Sequence, residues 1–152
     1  MRRFDVLAYG THLVYDGTRA DPSRLADQAL LVRVVATVAA QLDADGPSEP
    51  VLIEEIDGFS AGVTLAEAAV SLHVFPGLGT LCLDVFSVRR QRAEALYRPV
   101  EEAFAVGRST SRRAARARAP GPHDPDGLAR RLRGERAYAE ARFTDLRAFS
   151  AD

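Results

Sequence analysis

Gly58–Val88 reads GFSAGVTLAEAAVSLHVFPGLGTLCLDVFSV, and its alternation decides the fold. Val70, Leu72 and Val74 share one parity, as do Leu81, Leu83 and Val85 in the run that follows. Side chains on a strand alternate between faces, so Val70–Phe75 and Leu81–Ser87 are predicted strands with one wholly aliphatic face. The other face gathers Ser71, His73, Phe75, Cys82, Asp84 and Phe86. Between them, Pro76-Gly77-Leu78-Gly79 has the composition of a tight reversal. The aliphatic face is expected to take helices, which leaves the mixed face as the place for chemistry.

Working outward, Gly58 starts a turn into a strand over about Ala61–Ala68, and Pro50–Asp57 reads as the strand before it. Residues 4–15 are rich in β-branched and aromatic types and interrupted by Gly10, which predicts one strand, broken or bulged, ending near Asp16 and holding His12 as a half-buried strand histidine. Asp21-Pro22 opens a helix, because the aspartate caps free N–H groups and proline at the first position loses no bond. Leu25, Ala29, Val32, Val35 or Ala36, Ala39 and Leu42 give that helix its apolar stripe, up to Asp45-Gly46-Pro47. Gln91–Val106 is a second helix, with Pro99 forcing a kink or a restart and Gly107 a stop. The fold class is α/β (α+β): a two-layer sandwich with an antiparallel sheet of four to five strands and two main helices on one face.

The texture changes at Arg108. Residues 108–127 carry arginine without acid until Asp124, then proline and glycine, which predicts a linker. Residues 128–152 follow as a helical extension with a weak stripe of Leu128, Leu132, Ala139, Phe143 and Leu146. The domain organisation is therefore a sandwich over 1–107, a linker and a closing helix.

The formal net charge of −1 conceals an asymmetry, since residues 1–88 sum to −7 and residues 89–152 to +6. Opposite halves of this kind attract, within a chain or between subunits. Without aromatic interleaving or a known module, the arginine tract argues against nucleic acid. The single cysteine, Cys82, excludes a disulfide scaffold and fits a reducing compartment. No secretory signal is visible, and no apolar run approaches the roughly 20 residues of a membrane span. A cytoplasmic location is expected. His73, Cys82 and Asp84 lack the spacing of a metal site.

Gly58, Ser60, Leu65-Ala66-Glu67, Ser71, His73, Pro76, Gly79 and Asp84-Val85-Phe86, with Gly10-Thr11-His12-Leu13 and Asp21-Pro22 upstream, resemble in order and spacing the bacterial and archaeal S-adenosylmethionine decarboxylases. The resemblance covers about residues 10–106. Those enzymes of spermidine synthesis are pyruvoyl-dependent: the chain cleaves itself before a serine, whose oxygen attacks the preceding carbonyl. The pyruvoyl group left behind takes up the electrons of decarboxylation. Here the residue after Glu67 is Ala68. Alanine has no heteroatom at Cβ, so neither acyl shift nor elimination can start there. The next family position, a histidine, is Ala69, and the family's proton-donating cysteine falls on Val88.

The resemblance thus implies a divergent member with vestigial positions Ser60, Glu67, Ala68, His73 and Val88, without the pyruvoyl cofactor. Its expected role is to bind a small ligand, a nucleoside or a polyamine, through Glu67, Ser71, His73, Phe75, Cys82 and Asp84, or to regulate an active paralogue. A homodimer, or a heteromer with a paralogue, is the expected assembly. Two rivals stand beside it. One is a pyruvoyl-independent enzyme built on His73, Cys82 and Asp84; the other is an interaction module working through the arginine-rich tail.

Overall fold

The structure, a computed structural model, describes residues 10–46, 49–89, 91–116 and 132–137. In chain order it runs β1 (Gly10–Thr18), α1 (Pro22–Leu25), α2 (Gln28–Ala40), β2 (Val51–Glu54), β3 (Phe59–Leu65), β4 (Ala68–Phe75), β5 (Thr80–Ser87), α3 (Ala93–Phe104) and β6 (Arg108–Arg116), with a 3-10 turn at Pro76–Leu78. The strands form one sheet in the order β2-β3-β4-β5-β1-β6. Gly10–Ala115 forms one compact unit. Of the closing segment only a short helical run at 132–137 is described, with Leu132 exposed. Residues 4–9 of the first expected strand and 117–127 of the expected linker lie outside the described residues, as do Leu128, Ala139, Phe143 and Leu146.

Period-two alternation assigns the faces as expected. Val70, Leu72, Val74, Leu81, Leu83 and Val85 are all buried, while the residues between them are only half-buried. Against this aliphatic face pack Leu31, Val35 and Val38 of α2 and Leu96, Val100 and Phe104 of α3. The two main helices therefore lie on one face of an antiparallel sheet.

Four features differ from the expectation. Among the described residues the sheet has six strands rather than four or five. The extra one, β6, occupies the first part of the stretch expected as linker, and it is exposed along its whole length. An edge strand wetted on both faces needs no apolar alternation, so arginine, serine and threonine hide it from pattern reading. The helix expected from Asp21 is two helices: Asp21 caps α1, accepting from the Ser23 and Arg24 N–H groups, and Asp27 caps α2, accepting from Leu30 N at 2.9 Å. That restart shifts the buried stripe to Leu31, Val34, Val35 and Val38, leaving Ala29 exposed and Val32 half-buried.

The strand expected over 61–68 ends at Leu65 and a new one begins at Ala68, with a two-residue turn at Ala66-Glu67 between the paired Leu65 and Ala68. Finally, α3 runs through Pro99 and ends at Ala105, whose left-handed φ of 50° lets Val106 N–H donate to Glu101 O. The helix stop thus falls two residues before Gly107.

Candidate functional site

β4 lies between β3 and β5, and β5 between β4 and β1, so the register aligns mixed-face residues in rows across four strands. Ser60, His73, Cys82 and Asp16 form one row. Gly62, Ser71, Asp84 and Val14 form the next, and Thr64, Ala69, Phe86 and His12 the one beyond. Five of the six expected ligand-binding residues, Ser71, His73, Phe75, Cys82 and Asp84, therefore share this face. The sixth, Glu67, sits in the β3–β4 turn at the end of the sheet.

His73 and Cys82 are directly opposed, as the parity of the two strands requires. They do not make a nucleophilic pair. Burial first, then the carboxylates of Asp16 and Asp84, push the Cys82 thiol up to about 11, so thiolate is scarce near neutrality. The His73 ring turns instead to Glu55, with Nδ1 3.2 Å from Oε1. The Ser60 hydroxyl, and after it His73, hold the Glu55 carboxyl below its ordinary value. Ser60 is itself buried. Asp84 pairs with His12, whose Nε2 lies 3.0 Å from Oδ1. Each proposed member of the His73, Cys82 and Asp84 site is thus committed to a different neighbour. Among the described residues no group of three potential metal ligands comes together.

Along the row of Gly62 and Ser71 the sheet is hollow. An open groove of about 620 Å³ is lined by His12, Glu49, Val51, Gly62, Ala69, Ser71, Asp84 and Phe86, among others. Its floor exists because Gly62 and Ala69 carry almost no side chain between the flanking Val51 and Phe86. Its charged and titratable lining is two carboxylates, Glu49 and Asp84, with the His12 imidazole, and no arginine. The groove thus sets two carboxylates beside the aromatic ring of Phe86. Phe75, His73 and Cys82 fall outside its lining, whereas His12 and Glu49 lie within it. Sequence reasoning had no signal for those two beyond the Gly-Thr-His start, since His12 and Asp84 are 72 positions apart.

The Glu67–Ala68 bond lies at the start of β4, one residue before Ala69 of the groove. Glu67 adopts a left-handed φ of 62° and its carbonyl accepts from Val88 N–H at 3.0 Å. Ala66 N–H in turn donates to Asp45 O at 2.6 Å. The turn is therefore strained and firmly held, and it brings the positions of Glu67, Ala68 and Val88 together. Ser60 and His73 are not part of that cluster: His73 is five residues farther along β4, about 16 Å at ordinary strand rise. Ala68 is buried on the aliphatic face and offers only a methyl group. These residues do not fit a pyruvoyl group, which needs a side-chain oxygen or sulfur at this position.

Comparison with known proteins agrees with this architecture. A family model described as S-adenosylmethionine decarboxylase matches residues 11–117. A solved structure titled as the adenosylmethionine decarboxylase from Aquifex aeolicus superposes with a TM-score of 0.64 at 14% identity, covering 76% of this chain and 96% of that one. At that identity the likeness shows the fold. No curated protein matches the sequence.

Proposed function

The chain belongs to the S-adenosylmethionine decarboxylase family, and from that premise we propose that it is an uncleaved member that performs no decarboxylation and uses the groove on its open sheet face to bind a small organic cation. A sulfonium nucleoside such as S-adenosylmethionine, or a polyamine, fits the chemistry of that lining. The observation that carries the reading is Ala68, which follows a left-handed Glu67 in the β3–β4 turn. Backbone bonds from Val88 and to Asp45 hold this turn, and the one atom that would begin self-cleavage is missing from it.

Two features support a binding role. The groove presents the carboxylates of Asp84 and Glu49 beside the flat ring of Phe86, and Asp84 is oriented by His12 rather than left to rotate freely. In this reading the protein works in polyamine metabolism, as a homodimer or by pairing with an active paralogue.

Mass spectrometry of the purified protein tests the first half. An intact chain near 16.5 kDa is expected, and two fragments split between residues 67 and 68 would overturn the reading. Thermal-shift measurements with S-adenosylmethionine, its decarboxylated form and polyamines test the second. A ligand at one hundred times its Kd adds about 2.7 kcal/mol, and Asp84→Asn should remove most of that shift. No shift with any of these cations would exclude the groove as their site.

A further inference from the structure

Among the described residues the sheet ends in two edges of opposite charge. At one edge, residues 49–57 read EPVLIEEID, with four acids and no base. At the other, β6 reads RSTSRRAAR, with four arginines and no acid. Both edge strands are exposed along their whole length. Val51 and Ile53 are 66% and 57% exposed on the acidic edge, and Ile56 beside them is fully exposed.

We propose that copies of this chain associate edge to edge, β2 of one pairing with β6 of the next, so that the sheet continues from copy to copy. Three observations carry this. The first is electrostatic. Charged edges normally keep identical strands apart, and here two β2 strands would oppose acid to acid, and two β6 strands arginine to arginine. Only the unlike edges attract, so charge selects the head-to-tail contact over either two-fold one.

The second is direction. Every determined pair in the sheet is antiparallel, and β6 starts at Arg108 beside Thr18, where β1 ends. The six strands therefore alternate, and a copy moved across without rotation lays its β2 antiparallel to β6.

The third is that β6 is built in rather than loose. Its inner side is tied down by Ser109 Oγ donating to Glu101 at 3.0 Å and by Arg113 donating to Gln91 O. Thr18 Oγ also donates to Arg108 O at 3.3 Å. Arg108 and Arg112 share the other face of β6, where a neighbouring β2 would present Val51 and Ile53. An arginine stem can lie over such an aliphatic pair while its head reaches a carboxylate.

The contact is heterologous, so it produces rings or filaments rather than a closed dimer. This separates it from the homodimer or paralogue pair proposed above, which does not depend on these edges.

The test is sedimentation velocity of the full chain over a range of concentrations, at low and at high salt. Two reversed-edge variants are used: Arg108→Glu with Arg112→Glu, and Glu54→Arg with Asp57→Arg. Wild-type protein should form concentration-dependent species larger than a dimer, weakened by salt. Each variant alone should associate roughly tenfold more weakly or worse, and an equimolar mixture of the two should recover the association. Far-UV circular dichroism checks that each variant folds. If the paired reversals do not, Arg112→Gln and the wild-type salt dependence carry the same comparison. A wild-type chain that never exceeds a dimer, association indifferent to both edges, or a mixture no better than its components would each overturn the proposal.

Discussion

Tyr15→Phe probes the joint on which β1, α3 and β6 meet. Tyr15 is 1% exposed, and its hydroxyl donates to Glu101 Oε1 at 2.9 Å. Its ring stacks on Tyr97 with centroids 5.1 Å apart and 14° between planes. Phenylalanine keeps the stack and the buried area, so the substitution isolates the hydrogen bond. A bond from a neutral donor to a charged acceptor contributes about 1.5–3 kcal/mol. Glu101 is only half-buried and still accepts from Ser109 on the same oxygen, which places the loss near the lower end, about 1.5 kcal/mol. For a chain of this size that lowers Tm by about 3–6 °C.

The pH dependence supplies a second readout. Burial, foremost, holds the Tyr15 phenol well above its ordinary value, and Glu101 adds to that. A group whose folded pKa is raised stabilises fully below its unfolded pKa, about 10 for tyrosine, and loses that contribution as pH climbs toward the folded value. Wild-type stability should therefore fall more steeply above about pH 10 than that of Tyr15→Phe. Urea denaturation followed by circular dichroism at neutral and alkaline pH measures both effects. A loss under about 0.5 kcal/mol at neutral pH, or identical alkaline slopes, would refute the reasoning.

Other consequences follow from the same geometry. With its thiol pushed up to about 11, Cys82 in the native protein should react with iodoacetamide at pH 8 roughly a hundredfold more slowly than an unperturbed cysteine. Rapid alkylation would restore Cys82 as a candidate nucleophile. Ser60→Ala should move the Glu55 carboxyl up toward its ordinary value, and His73→Ala should move it less, because Ser60 is the larger cause. Since a depressed carboxylate stabilises above its unfolded pKa and loses that contribution as pH falls, Ser60→Ala should also flatten the acid limb of the stability curve. NMR titration of Glu55 checks the order, and a larger effect from His73→Ala would contradict it. Gly58→Ala would bring a Cβ to 1.9 Å from Val74 O. Relieving that clash means moving backbone in the sheet, with a cost of about 3 kcal/mol measurable by chemical denaturation; a cost below about 1 kcal/mol would show that the β3–β4 hairpin yields easily.

Much of this protein is legible without coordinates, and for a local reason. Alternation along Val70–Phe75 and Leu81–Ser87 assigned both faces because a strand repeats every two residues regardless of its partners. The helix start at Asp21-Pro22 was equally readable, since a cap is made by the residue beside it. The substitution at Ala68 needed no structure at all, because a methyl group carries no nucleophilic oxygen in any conformation.

The remainder depended on contacts between distant parts of the chain. The cap at Asp27 was also local, but the apolar stripe reads through it, and burial shows that the helix restarts there. Nothing in RSTSRRAAR marks a strand; its place beside β1 makes it one, and with it a basic edge opposite the acidic one. Register, not composition, put Cys82 beside Asp16, whose carboxylate adds to the effect of burial in pushing the thiol up. Likewise His12 meets Asp84 across β1 and β5, 72 positions away in sequence. Periodicity tells which way a side chain points, but only strand order and register tell what it meets there. That is why the two faces were foreseen and the groove between His12, Ser71 and Phe86 was not.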